Sequence, residues 1–127
     1  MGRSRSTILV VDDEPSIRLL CRINLQLEGY RVLEAATLSD ARTALETQTV
    51  DAILLDQHVG GERGSDFLRE LRDTESRTPV AFLTGSESVP ESDLAGADGV
   101  LSKPFTLAEL SRTVQRLVSH DVDAPIS

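Results

Sequence analysis

Five polar residues of the 127-residue sequence stand where short apolar runs stop. Asp12 and Asp13 follow Ile8-Leu9-Val10-Val11, Asp56 follows Ala52-Ile53-Leu54-Leu55, Thr84 follows Val80-Ala81-Phe82-Leu83, and Lys103 follows Gly99-Val100-Leu101-Ser102. Three carboxylates brought into one crevice repel each other unless they are protonated or hold a cation. Mg2+ suits such a site, because it takes oxygen ligands and needs only one or two carboxylates, with waters and substrate oxygen completing its octahedron. A zinc or iron centre does not fit: His58 and His120 are far apart, and Cys21 has no ligand-spaced companion. A lysine and a hydroxyl beside the cation make a site for a phosphoryl group. Cation and Lys103 would neutralise its equatorial oxygens while a carboxylate attacks in line. Asp56 is the best-placed nucleophile, since it ends its run alone, ahead of a loop containing Gly60, Gly61 and Gly64 that leaves room for a donor. Singly, each residue has a plain explanation, because strands stop in polar residues. Recurrence at successive run ends is what points to chemistry.

The runs need elements to position them. Five short apolar segments, with Arg31–Ala35 as the second, alternate with amphipathic stretches, the pattern of a parallel sheet covered by helices on both faces. Pro15 suits the first turn of a helix that stops at Gly29 and presents Ile17, Leu20, Asn24 and Leu27, helped by Cys21 and Ile23. Thr37 with Asp40 has capping-box spacing before Leu38, Ala41 and Leu45. Ser65 to Glu75 presents Phe67, Leu68 and Leu71. Thr106 with Glu109 is a full capping box opening a last helix through Leu107, Leu110, Val114, Leu117 and Val118, ending near Ser119. Ser88–Ala95 makes a poor stripe, and Pro90 forbids an early helix start there. In an open α/β sheet the carboxyl ends of the strands share one edge, where ligands bind. A strand order with the first and third adjacent, taken from fold precedent, would unite the three aspartates.

Composition sets the outer limits. The chain carries 13 Lys+Arg against 21 Asp+Glu, a net charge of -8. That balance argues against direct nucleic acid binding by this chain, which needs a basic surface. No apolar run approaches the roughly 20 residues of a membrane span, and a cytoplasmic location is expected. Cys21 alone excludes an intrachain disulfide and is expected in the core.

The motifs Ile8-Leu9-Val10-Val11-Asp12-Asp13-Glu14, Leu54-Leu55-Asp56, Leu83-Thr84-Gly85, Gly96-Ala97-Asp98 and Lys103-Pro104-Phe105 together resemble the CheY-like receiver domain of two-component response regulators. The resemblance covers residues 7–119, with a basic polar extension at 1–6 and a polar tail or linker start at 120–127. It implies a flavodoxin-like (βα)5 fold with strand order 2-1-3-4-5. Asp56 is then the phosphoacceptor, receiving its phosphoryl group from phosphohistidine of a histidine kinase or histidine phosphotransfer protein. Asp12, Asp13, Asp56 and the backbone carbonyl of His58 would hold Mg2+, with Mn2+ as a substitute. Thr84 matches the switch hydroxyl and Lys103 the ion-pairing lysine, aimed into the site by a cis bond to Pro104. Output domains, partner proteins and weak homodimers are further associations that the resemblance implies.

Departures from the family pattern fall beside the acceptor and on the output side. The segment Gln57-His58-Val59-Gly60-Gly61-Glu62-Arg63-Gly64 lacks the usual Met-Pro pair, with Gly60 in place of the proline, so a looser loop is expected. Side chains at His58 and Ser86 lie where the family controls access of the hydrolytic water. Val100 takes the place of the switch aromatic, and the interval from Thr84 to Gly96 is about one helical turn shorter than usual, so altered signal transmission is expected. Two other functions compete with this one. A Mg2+-dependent aspartyl phosphatase would want a second acid two residues after its nucleophile, where His58 stands. An interaction module acting without phosphorylation fits Val100 and the short fourth helix.

Overall fold

Strands with no polar residue inside them must be covered on both faces, and the three at the centre of the sheet are. The computed structural model describes residues 5–85 and 95–123. In chain order the elements are β1 (Thr7–Val11), α1 (Pro15–Leu27), β2 (Arg31–Ala35), α2 (Leu38–Thr47), β3 (Ala52–Asp56), the short β4 (His58–Val59) and β5 (Glu62–Arg63), α3 (Gly64–Asp73), β6 (Val80–Thr84), β7 (Gly99–Ser102) and α4 (Leu107–Asp123). Five strands form a parallel sheet in the order β2-β1-β3-β6-β7, which is 2-1-3-4-5 when only its own strands are counted. The register pairs Val11 with Leu55, Asp56 with Leu83, and Thr84 with Ser102. The residues that end these strands therefore emerge along one edge.

Alternation along each strand divides the core in two. Leu9, Val11, Ile53, Leu55 and Phe82 face Leu38 and Ala41 of α2 and Phe67 and Leu68 of α3. Ile8, Val10, Leu54, Ala81 and Leu83 face Cys21 and Leu25 of α1 and Leu110, Val114 and Leu117 of α4. Cys21 is thus a core residue, as expected.

The caps follow the sequence closely. Thr37 Oγ1 accepts from the Asp40 N–H at 3.0 Å. Thr106 and Glu109 exchange both bonds of the capping box, at 2.8 and 3.0 Å. α1 ends in a Schellman turn: the Tyr30 N–H reaches the Leu25 carbonyl at 3.1 Å and the Gly29 N–H reaches Gln26 at 3.0 Å, with Gly29 at φ 96°. α3 ends the same way, through Ser76 to Leu71 and Glu75 to Arg72, both at 3.0 Å, but there Glu75 holds the left-handed position at φ 66°.

Three expectations change. α1 buries the i, i+4, i+8 stripe of Ile17, Cys21 and Leu25, whereas Leu20, Ile23 and Leu27 are 37%, 45% and 80% exposed. The helix is apolar on two faces, and only the one meeting β1 and β2 is covered; Asn24 instead bonds the Leu20 carbonyl. α4 continues past Ser119 to Asp123. The loop after Asp56, expected to be loose, is built as a paired hairpin. Gly60 at φ 59° and Gly61 at φ 84° both sit in the left-handed region, as a two-residue type I′ turn requires, and Val59 is buried beneath it. The expected short fourth helix and Ser86 lie outside the described residues.

Candidate functional site

The sheet order places the ends of β1 and β3 side by side, and their aspartates converge. Asp12, Asp13 and Asp56 each offer a carboxylate oxygen, all within 4.8 Å of one another. Asp12 is fully buried and held from several directions. Its Oδ1 accepts the Glu14 N–H at 2.9 Å, its Oδ2 accepts Lys103 Nζ at 2.9 Å, and its main-chain carbonyl accepts Arg18 at 2.8 Å. Asp13 is exposed at the rim, where its Oδ2 accepts the Gly60 N–H at 3.0 Å. Asp56 is partly buried, its Oδ1 accepting the Gln57 N–H at 2.8 Å.

Lys103 Nζ lies 2.9 Å from Asp12, 3.5 Å from Glu14 and 3.7 Å from Asp56. Burial alone would lower its pKa; the hydrogen bond to Asp12 and the charges of Asp12, Asp56 and Glu14 outweigh that and raise it. Its main chain is fixed too, for the Lys103 N–H donates to the Thr84 carbonyl at 2.7 Å. The Lys103–Pro104 bond is cis.

Asp56 is pushed up from 3.8 to about 6, chiefly by burial and then by the charge of Asp12; Lys103 and the Gln57 N–H pull it back only in part. Cys21, beneath the site, is pushed up to about 12 by burial and then by Asp12. One lysine does not balance three converging carboxylates. An all-oxygen donor set with surplus negative charge fits a hard divalent cation, and the site is a Mg2+-type acidic pocket.

The remaining sequence candidates have clear places. Thr84 closes β6 and is buried, and Gly85 beside it is exposed. The His58 imidazole is exposed on β4. Val100 lies on the edge strand β7 and is 47% exposed. Three residues that hold the site carry no sequence signal for that role. Glu14 and Arg18 reach it only because α1 starts immediately behind Asp13. Gly64 closes the hairpin with a 2.7 Å bond to the Gln57 carbonyl, and a Cβ on it would lie 2.3 Å from the Asp56 carbonyl oxygen. A glycine eight positions after Asp56 was visible in the sequence, but the close approach it permits was not.

Comparison with known proteins agrees with this geometry. A profile of the response regulator receiver domain matches residues 8–115. The KDP operon transcriptional regulatory protein KdpE of Escherichia coli is 38% identical over 109 residues, covering 83% of this chain and 48% of that protein. The Phosphate regulon transcriptional regulatory protein PhoB of Pseudomonas aeruginosa is 35% identical over 129 residues, covering 94% and 56%. The chain spans about half the length of these curated relatives. Among solved structures, Vibrio cholerae chemotaxis protein CheY4 superposes with a TM-score of 0.83 at 32% identity, covering 90% of this chain and 99% of that one. The receiver domain of NtrX from Brucella abortus gives 0.82 at 28% identity, covering 88% and 98%. On fold, acidic triad and matched span together, the chain belongs to the response regulator receiver domain family.

Proposed function

We propose that Asp56 accepts a phosphoryl group from phosphohistidine of a histidine kinase or phosphotransfer protein. An Asp56 carboxylate oxygen attacks phosphorus in line, the P–N bond breaks, and the imidazole leaves and takes up a proton. The observation that carries this is the convergence of Asp12, Asp13 and Asp56 within 4.8 Å, with Lys103 Nζ 3.7 Å from Asp56. A divalent cation on Asp12, Asp13, Asp56 and the His58 carbonyl would supply charge neutralisation for the phosphoryl oxygens. Lys103, already beside Asp56, pairs with a second oxygen, and the Thr84 hydroxyl donates to a third. Asp12 is the fixed member, held by Lys103 and Arg18.

The unit doing this is residues 7–119, a span supported by the profile match to 8–115. The exposed apolar face of α1, Leu19, Leu20, Ile23 and Leu27, starts beside the site and supports docking of the donor there. Val100 on the exposed edge of the sheet favours a second reading, output that does not depend on an inward-moving aromatic. Incubation with a small acyl phosphate and Mg2+ followed by intact mass measurement should give one adduct of about 80 Da, a single phosphoryl group. Asp56→Asn should abolish it. Absence of an adduct with every donor tried would refute the phosphoacceptor role.

A further inference from the structure

Asp13 sits at the exposed rim of the pocket, and Asp12 is locked from three sides. The geometry points to the main-chain N–H of Gly60 as the group that positions Asp13 for the cation, an inference that rests on the Mg2+-dependent phosphoacceptor function proposed above. The Gly60 nitrogen lies 3.0 Å from Asp13 Oδ2, across 47 residues of sequence. That leaves Oδ1 with both lone pairs for a metal ion.

The donor is itself held in place. Gly60 is the first turn residue of the β4–β5 hairpin, at φ 59°, with Gly61 following at φ 84°. Val59 is 1% exposed and pins the hairpin to the core, while Gly64 closes its base on the Gln57 carbonyl at 2.7 Å. Because Gln57 also donates to Asp56 Oδ1, one hairpin touches both the nucleophile and Asp13. A proline at position 60 has no N–H to give, so the glycine here adds a contact as well as a turn. Groups that orient a metal ligand commonly change metal affinity by one to two orders of magnitude. By linkage, cation binding should in turn steady the hairpin.

The test is Mg2+ titration by calorimetry on the full chain and on a ligated ester analogue in which the Gly60 N–H is replaced by oxygen. The conservative Gly60→Asn variant keeps the N–H, tolerates positive φ, and has open space for its Cβ. We expect the ester to bind Mg2+ about tenfold more weakly, the low end for such partners because the site is exposed, and Gly60→Asn to bind within about twofold of the native chain. An ester within about twofold of the native chain overturns the inference. Should the ester fail to fold, amide exchange in the native chain decides. Exchange at Gly60 that slows on Mg2+ saturation supports the role, and exchange that does not change overturns it. A native chain that binds no Mg2+ refutes both this inference and the function beneath it. Loss of the Asp56 adduct with the affinity pattern intact refutes only the latter.

Discussion

Asp56→Asn should make the metal-free protein more stable at neutral pH. The Asp56 carboxyl is pushed up from 3.8 to about 6, first by burial and then by Asp12. At 1.36 kcal/mol per pK unit this corresponds to roughly 3 kcal/mol of penalty on the ionised folded form. One correction shrinks the gain: solvent reaches the side chain, which is 16% exposed, and screens the penalty, while the attraction of Lys103 is already contained in the net shift. A net gain of about 1–2 kcal/mol remains. The sign follows from the direction of the shift. The folded state holds the Asp56 proton more tightly than the unfolded chain, so this stabilisation is complete below about pH 4 and is lost as pH rises through about 6. Asparagine does not titrate. Urea unfolding of both proteins in chelator should give nearly equal stabilities at acid pH and a gap in favour of the variant above pH 7, a gap that Mg2+ narrows by binding the wild type. A variant no more stable at pH 8, or a gap that persists unchanged into acid, would refute the electrostatic account.

Elsewhere the expectations are simpler. Glu75→Gly should add about 0.5–1 kcal/mol in the same unfolding assay, by giving the left-handed Schellman position of α3 the residue that α1 already has at Gly29. Gly64→Ala should cost about 1–3 kcal/mol, since its Cβ would meet the Asp56 carbonyl oxygen at 2.3 Å and force the backbone apart. Replacing the exposed His58 by Ala should change the lifetime of the Asp56 phosphoryl group several-fold while leaving Mg2+ affinity within about twofold, read by timed intact mass and by calorimetry. Leu20→Asp with Ile23→Asp should leave stability within about 0.5 kcal/mol per site. The same pair should slow transfer from a phosphohistidine protein much more than from an acyl phosphate.

Strand placement was legible because β1, β3, β6 and β7 are short apolar runs that stop in polar residues, too short for a helix, whereas β2 carries Arg31 and Glu34 and was legible mainly from its place between two helical patterns. The site followed from the same stops once the strand order was taken from precedent. α1 shows where such reasoning fails. Its apolar residues cover two faces, and periodicity cannot tell which face meets the sheet; the answer, Ile17, Cys21 and Leu25, depended on β1 and β2. The hairpin after Asp56 failed differently. Gly60 in place of a proline suggests a looser loop, but Gly60 followed by Gly61, two adjacent residues able to hold positive φ, also specifies a tight turn, and the pairing of β4 with β5 over buried Val59 decides for the turn. The bonds of Glu14 and Arg18 to the site come from the angle at which α1 leaves β1, which no local pattern encodes.

The single thiol of Cys21 lies at the junction of α1 with the sheet, under Asp12, where burial pushes its pKa up to about 12. In the folded chain it is therefore chemically silent toward alkylating reagents. It becomes reactive only when α1 lifts away, so the rate at which it is labelled is a clock for that opening, running in the unmodified protein. Ligands that tighten the Asp12 edge of the sheet will slow the clock. The same residue that once merely excluded a disulfide thereby offers a built-in reporter placed directly behind the acidic pocket.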